Sequence, residues 1–316
     1  MRGYLKEHSP ALQFVTFISL FIAFFLLNFV FLLVFFPMLT GYTLEILQNG
    51  DTSDPKVLGY LKLTQFLYTL LVYLMPAVVF AWLAAPKPAQ WLHITRKPRL
   101  FPVVLAIFIM VAALPLVGFS ADWNHTWHFS AATRASEKMA EELTRTLLSG
   151  TGIGSLIVNL VLIAIMPAIA EEFFFRGVLQ RIFINMKPKL PWLAVLETAI
   201  LFSAVHMQWM DFIPRVILGF LLGAIYFLSG NLWLSILAHM LNNGSQVVMV
   251  FLYSIKVMKE DPMKSEPTAW YFALISLAVT TGLLWYFKKQ SPQDELPGLP
   301  PRDKISDSIN SIGGNL

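Results

Sequence analysis

Two adjacent carboxylates, Glu171 and Glu172, lie inside the apolar run IAIMPAIAEEFFFRGVLQ, with Arg176 four residues after the second. A single charge at the centre of a membrane helix costs at least about 2.5–3.5 kcal/mol. A run that carries three therefore needs a function or a compensating structure. Two later apolar runs each carry a histidine, His206 in LETAILFSAVHM and His239 in LWLSILAHMLNNG, the second followed by Asn242 and Asn243. Carboxylate, imidazole and amide are the groups that hydrolysis calls for: a base for water, and donors aimed at the charge that develops on a carbonyl.

Each residue also has a plainer reading. Glu172 and Arg176 are spaced i,i+4 in the favourable acid-before-base order, which suits a structural ion pair as well as a support for catalysis. Glu171 points about 100° away on the same helix and is left to face a water-filled cavity. Adjacent carboxylates raise one another's proton affinity, which suits a general base. His206 alone reads more simply as a hydrogen-bonded core residue. His239 and Asn243 are one turn apart and share a face, whereas Asn242 does not. The run Asn242–Asn243–Gly244 also fits a break in the helix, which at that depth would itself need a polar cavity. His125 and His128 belong to a Trp-rich loop and read as surface residues; His8 and His93 sit at the borders of apolar segments. No His-Glu-x-x-His or Gly-x-Ser-x-Gly motif is present. Cysteine is absent, which excludes disulfides, thiolate metal sites and a cysteine nucleophile.

Taken in order, Glu-Glu-x-x-x-Arg (Glu171, Glu172, Arg176), Phe-x-x-x-His (Phe202, His206) and His-x-x-x-Asn (His239, Asn243) resemble the CAAX prenyl protease and bacteriocin-processing family, CPBP, also called Abi-like. The match runs over about residues 165–245. The resemblance implies an integral-membrane endopeptidase acting on a membrane-associated or prenylated-type peptide. It implies Glu171 as the base that activates water, His206 as the group that positions it, His239 and Asn243 as oxyanion donors, and Glu172 with Arg176 in support. The family is commonly classed as metallopeptidase. Zinc is then the candidate cofactor, with Glu171, His206 and His239 as its ligands and an open position for water; the same groups also serve without a metal. The competing functions are a proton-coupled transporter, in which buried Glu and His relay protons, and a catalytically idle binding protein of the same fold.

The rest of the chain must hold these residues in a bilayer. Of 316 residues 56% are hydrophobic and only 13% charged, against about 25% charged in soluble domains. The expected fold is an all-α integral membrane protein. About eight transmembrane helices are expected, near 11–36, 61–85, 100–119, 153–180, 191–206, 212–229, 231–254 and 268–287, enclosing a polar cavity. Pro167 should kink the fourth. The segment 131–149 reads as an amphipathic helix outside the bilayer. The expected division is an N-terminal three-span region over 1–150, a catalytic core over 151–289 and a disordered polar tail over 290–316. No cleavable signal peptide is expected.

The net charge of +4 is small and its basic residues flank the apolar segments, an arrangement that sets topology rather than nucleic-acid binding. Basic flanks at 2–6, 87–99, 181–189 and 288–289 fall on one side of an eight-span chain. That predicts both termini in the cytoplasm, a bacterial inner-membrane location and a cavity reached from the cytoplasmic side. Straight helices rising about 1.5 Å per residue put Glu171, His206 and His239 at different depths. They meet only if helices tilt, kink or extend past the bilayer.

Overall fold

The structure, a computed structural model, describes residues 2–49, 54–264 and 267–291. The expected tail lies outside the described residues from 292 onward. Within them the chain is helical and has no strand. The main helices are α1 (Pro10–Thr40), α2 (Pro55–Ala84), α3 (Leu100–His125), α4 (Ala131–Leu147), α5 (Ile153–Met186), α6 (Pro191–Ala204), α7 (Phe212–Ser229), α8 (Leu232–Ser254) and α9 (Trp270–Gln290). The amphipathic segment forms α4 as expected.

Six of these, α1, α2, α3, α5, α7 and α9, are long and apolar enough to cross a bilayer. The two that separate this count from the expected eight are informative. Helix α6 has only 14 residues. Helix α8 has 23 but carries His239, Asn242, Asn243 and Gln246, which remove it from the apolar class. Helix α7 is central, with 61% of its apolar window buried, whereas α1 is peripheral at 11% and presents Ile22, Phe25, Leu26 and Leu33 outward.

Proline shapes the long helices in a repeated way. Phe31–Phe35, Thr69–Leu74 and Leu160–Ile165 are wide π-helical turns, and each is followed two residues on by a proline: Pro37, Pro76 and Pro167. Proline cannot donate a backbone hydrogen bond and its ring crowds the carbonyl four residues back. Letting the ladder slip to i→i+5 in the preceding turns takes up both defects. Pro115 in α3 is accommodated differently. Ser276 of α9 inserts into the ladder: its Oγ accepts from the Leu116 N–H at 3.2 Å and donates to the Ala112 carbonyl at 2.6 Å.

Two packed clusters flank the site. Phe17 of α1, Phe80 and Tyr73 of α2, and Phe174 and Phe175 of α5 form one aromatic cluster, with ring centroids 4.6 Å apart for Phe17–Phe174 and 5.5 Å for Tyr73–Phe174. The other joins α3, α6, α7 and α9. The N-terminal helices thus buttress α5 from behind, at the three phenylalanines that follow the carboxylate pair.

Helix ends gather at two poles. At one, Gly3 N–H donates to the Trp82 carbonyl, the Asn231 amide to the Arg96 carbonyl, and Ser229 and Ser291 line one hollow. At the other, His125 meets Asp211, the Met210 N–H donates to Glu137, and Arg145 pairs with Asp261. Gly3 and Ser291 therefore lie at the same pole.

The Ser276 insertion yields a direct test. Ser276→Ala removes the hydroxyl that bridges the Leu116 N–H and the Ala112 carbonyl, at a cost on the order of 1 kcal/mol. A lowered Tm in detergent is expected, and an unchanged Tm would show that the helix closes the gap by itself.

Candidate active site

Helix geometry separates the fates of the two adjacent carboxylates. Glu172 is fully buried and accepts from three donors. Its Oε1 takes Arg176 Nη1 at 2.6 Å and His239 Nδ1 at 2.9 Å, and its Oε2 takes the Ser235 hydroxyl. Arg176, also fully buried, spends Nη2 on the Gly219 carbonyl of α7 at 2.8 Å and lies over the Phe202 ring, 4.7 Å from its centroid. One turn on, Gln180 repeats the contact by donating to the Gly223 carbonyl at 3.0 Å. These reaches need α7 close to its neighbours. A Cβ on Gly219 would meet the Ala199 backbone at 3.3 Å and one on Gly223 the Gln180 side chain at 2.7 Å.

Glu171 turns the other way. It lines a cavity of about 420 Å³ with His206, His239, Asn243 and Arg215, and its Oε2 lies 3.9 Å from His239 Nε2. His239 therefore stands between the two carboxylates, tied to Glu172 through Nδ1 and facing Glu171 through Nε2. An ionised carboxylate only accepts, so Nδ1 carries the proton in that pair. The same reasoning applies to His206, whose Nδ1 lies 2.6 Å from the Phe202 carbonyl. In the neutral rings both Nε2 atoms present lone pairs to the cavity.

Asn243 donates to the Ile163 carbonyl at 3.2 Å and accepts from Asn242 at 3.2 Å, which leaves one of its amide hydrogens for the cavity. Helix α8 runs unbroken through Asn242–Asn243–Gly244, so the break considered from sequence does not occur. Asn242, expected to point elsewhere, also lines the cavity, because that cavity is wide enough to be walled by neighbouring faces of one helix.

Two of the depths that did not coincide for straight helices, those of Glu171 and His206, are reconciled by extension. Helix α5 continues to Met186 and α6 starts at Pro191. Glu171 and His206 then each lie about 22 Å from their shared turn, at about 1.5 Å per residue.

Zinc fits this arrangement poorly. Tying each Nδ1 to an oxygen is what a ligating histidine needs, yet among the described residues no three of His, Cys, Asp and Glu converge as a ligand set. The Phe202 ring packs against both imidazoles, at 5.0 Å from His206 and 5.9 Å from His239. Glu171, His206 and His239 are brought to one cavity but not to one point, and no step is routed through a metal.

The mouth departs from expectation. The cavity shares Ala121, Asp211 and Gln246 with a larger hollow of about 630 Å³ walled by Arg134, Glu137 and Lys138 of α4. It opens toward the α4 pole, opposite Gly3 and Ser291. The basic flanks mark which loops share a side; they carry no information on which end of a bundle is hollow.

Sequence reasoning missed Ser235 and Arg215 and set Asn242 off the shared face. Arg215 interrupts an otherwise apolar helix, a signal the sequence offered; the i,i+4,i+8 spacing of Ser235, His239 and Asn243 on α8 gains meaning only with Glu172 opposite it.

Arg176→Ala should strand the Glu172 charge beside His239. Breaking a buried pair costs about 3–5 kcal/mol, so poor yield or a markedly lowered Tm is expected. A variant as stable as wild type would show that Ser235 and His239 suffice to hold the carboxylate.

Residues 153–245 match the family of type II CAAX prenyl endopeptidases described as Rce1-like. Among curated proteins, an uncharacterized 24.3 kDa protein of Escherichia coli is 29% identical over 154 residues, covering 43% of this chain and 71% of that protein. The uncharacterized protein YpbD of Bacillus subtilis (strain 168) is 31% identical over 87 residues, covering 26% of this chain and 41% of its own length. No solved structure matches. Every motif residue, from Glu171 to Asn243, falls inside the matched segment, so the resemblance to CPBP proteins is borne out over residues 153–245, and at family level it is a resemblance to membrane endopeptidases.

Proposed function

We propose that the protein hydrolyses a peptide bond of a membrane-associated or prenylated-type peptide, with Glu171 as the general base. The observation that carries this reading is the placement of Glu171. Of the adjacent pair it is the carboxylate that faces the cavity, while Glu172 is consumed by three donors.

Glu171 removes a proton from water as the oxygen attacks the scissile carbonyl. The C–O bond forms and the carbonyl π electrons move to oxygen. His206, its Nδ1–H committed to the Phe202 carbonyl, accepts the water's other hydrogen at Nε2 and orients it. The oxyanion takes the spare amide hydrogen of Asn243. His239 also donates to it from Nε2 when doubly protonated, with the Glu172 carboxylate at Nδ1 as counter-charge. Collapse of the tetrahedral species breaks the C–N bond, and the proton held on Glu171 passes to the departing amine. Arg176 and Ser235 touch no reacting atom; they fix Glu172, which fixes the His239 ring.

On this reading the chain is a multi-pass protein of a bacterial inner membrane. The basic flanks put Gly3 and Ser291 at the cytoplasmic face. The cavity mouth and α4 then face away from the cytoplasm.

Two experiments address these points. Glu171→Gln preserves shape and removes the base, and should lower peptidase turnover on the order of 10²–10⁴-fold with an unaltered Tm; near-normal turnover would remove Glu171 from that role. For orientation, the absence of native cysteine allows single Thr95→Cys and Ser130→Cys variants, both at exposed positions on opposite poles. A membrane-impermeant thiol reagent added to intact cells should label Ser130→Cys and spare Thr95→Cys, and the reverse pattern would invert the orientation.

A further inference from the structure

Arg215 is a cation in the cavity wall that the hydrolytic steps leave unused. It sits in the first turn of α7 and is partly buried. Its hydrogen bonds go to a neutral residue: Nη2 donates to Gln208 Oε1 at 2.8 Å and Nη1 to the Gln208 carbonyl at 3.4 Å. Among the described residues it forms no ion pair. Asp211, Glu137 and Glu171 act on it electrostatically from beyond ion-pair distance, Asp211 being held by His125 Nε2 at 3.2 Å and Glu137 by the Met210 N–H at 3.0 Å, so no carboxylate meets its fork directly. A guanidinium fork in a cavity that no carboxylate touches is open to an anion that does. Its planar fork matches a carboxylate through two parallel hydrogen bonds, and the Gln208 tether fixes its orientation in advance.

Position along the helix distinguishes this role from oxyanion binding. Gly219, whose carbonyl receives Arg176, marks the level of the Glu172 network. Arg215 lies four residues, about 6 Å, nearer the mouth. An extended peptide advances about 3.3 Å per residue, so a group held at Arg215 is on the order of two residues from the scissile bond. We propose that Arg215 receives a carboxylate of the substrate and so selects peptides that carry one close to the cleaved bond. This rests on the peptidase reading above and names its substrate class.

The carboxylate can be the peptide's C-terminus or an acidic side chain, and three fluorescent prenylated peptides separate these sources. One ends in a free carboxylate, one is the same peptide amidated, and one is amidated with glutamate as its last residue. With wild-type protein, amidation should raise KM by about 10–100-fold, the value of one charge-assisted contact, with kcat little changed. Arg215→Gln should raise KM for the free carboxylate by the same factor and abolish the difference between carboxylate and amide. Arg215→Lys, which keeps the charge, should retain part of that difference and serves as the folding control. Restoration by the terminal glutamate assigns the carboxylate to a side chain; no restoration assigns it to the C-terminus. A carboxylate-to-amide ratio that is absent in wild type, or unchanged in Arg215→Gln, would refute carboxylate recognition.

Fluorescence anisotropy of the same peptides on Glu171→Gln, with and without Arg215→Gln, reads recognition apart from cleavage. Discrimination in binding without hydrolysis by wild type would overturn the peptidase reading alone. Hydrolysis without discrimination would overturn the role of Arg215 alone, and neither binding nor cleavage would overturn both.

Discussion

The buried charge of Glu172 is the constraint that the other site residues obey. An ionised carboxylate removed from water must recover its hydration from the protein, or it destabilises the fold by several kcal/mol. Here the recovery comes from Arg176, one turn on along α5, and from Ser235 and His239, one turn apart on α8. Arg176 extends the network to the α7 backbone at Gly219. Three helices are thereby locked in rotation and in depth by one anion. Because Glu172 can only accept, it also dictates the tautomer of His239. The charge thus specifies the direction from which an imidazole nitrogen meets Glu171.

That network is short-range, so it depends on how closely the helices approach. Gly219 and Gly223 on α7 let Arg176 and Gln180 reach its carbonyls, and any side chain at Gly219 would press on the α6 backbone. The wide turns before Pro167 lie on the α5 segment that enters the site, and a second wide stretch, Phe173–Leu179, contains Arg176 itself. Behind α5, Phe17, Phe174, Phe175 and Phe202 continue as a run of ring contacts from the peripheral α1 to the two imidazoles. The first helices hold no motif residue, yet they pack on α5 directly behind the carboxylate pair.

How much of this was legible in the residue string depended on contrast. Glu171, Glu172, Arg176, His206, His239 and Asn243 stand out because ionisable and amide groups are costly among apolar neighbours, and the structure puts Glu171, His206, His239 and Asn243 at one cavity with Glu172 and Arg176 buried behind them. Helix α4 was legible for the same reason in reverse, as a charged periodic stretch between apolar ones. Ser235 and the two glycines were not, because small residues are ordinary in apolar helices and gain meaning only opposite a partner. The count of eight spans is not confirmed at two helices: the polar stripe of α8 takes it out of the apolar class, and α6, with 14 residues, is too short by that measure. The convergence of a zinc set was not decidable from residue types, since it depends on how the three side chains sit around the cavity and not on their spacing in the chain.

On the proposed hydrolytic reading, water sets the side of access. Hydrolysis consumes it, hydrocarbon excludes it, and a carboxylate base needs a hydrated path. The cavity's shared walls with the hollow beneath α4 supply one, because Glu137, Lys138 and Glu141 make that hollow polar. Helix α4 is attached at its flanks, by Glu137 to the Met210 N–H and by Arg145 to Asp261, which leaves the space between it and the bundle open. At the opposite pole, the ground beneath the site is filled by Arg181 against Trp91, by the Trp233 indole on the Ile94 carbonyl and by His93 on the Gly230 carbonyl. Packing closes one end and polarity opens the other, so on that reading water and peptide approach Glu171 past Arg215 and Asp211.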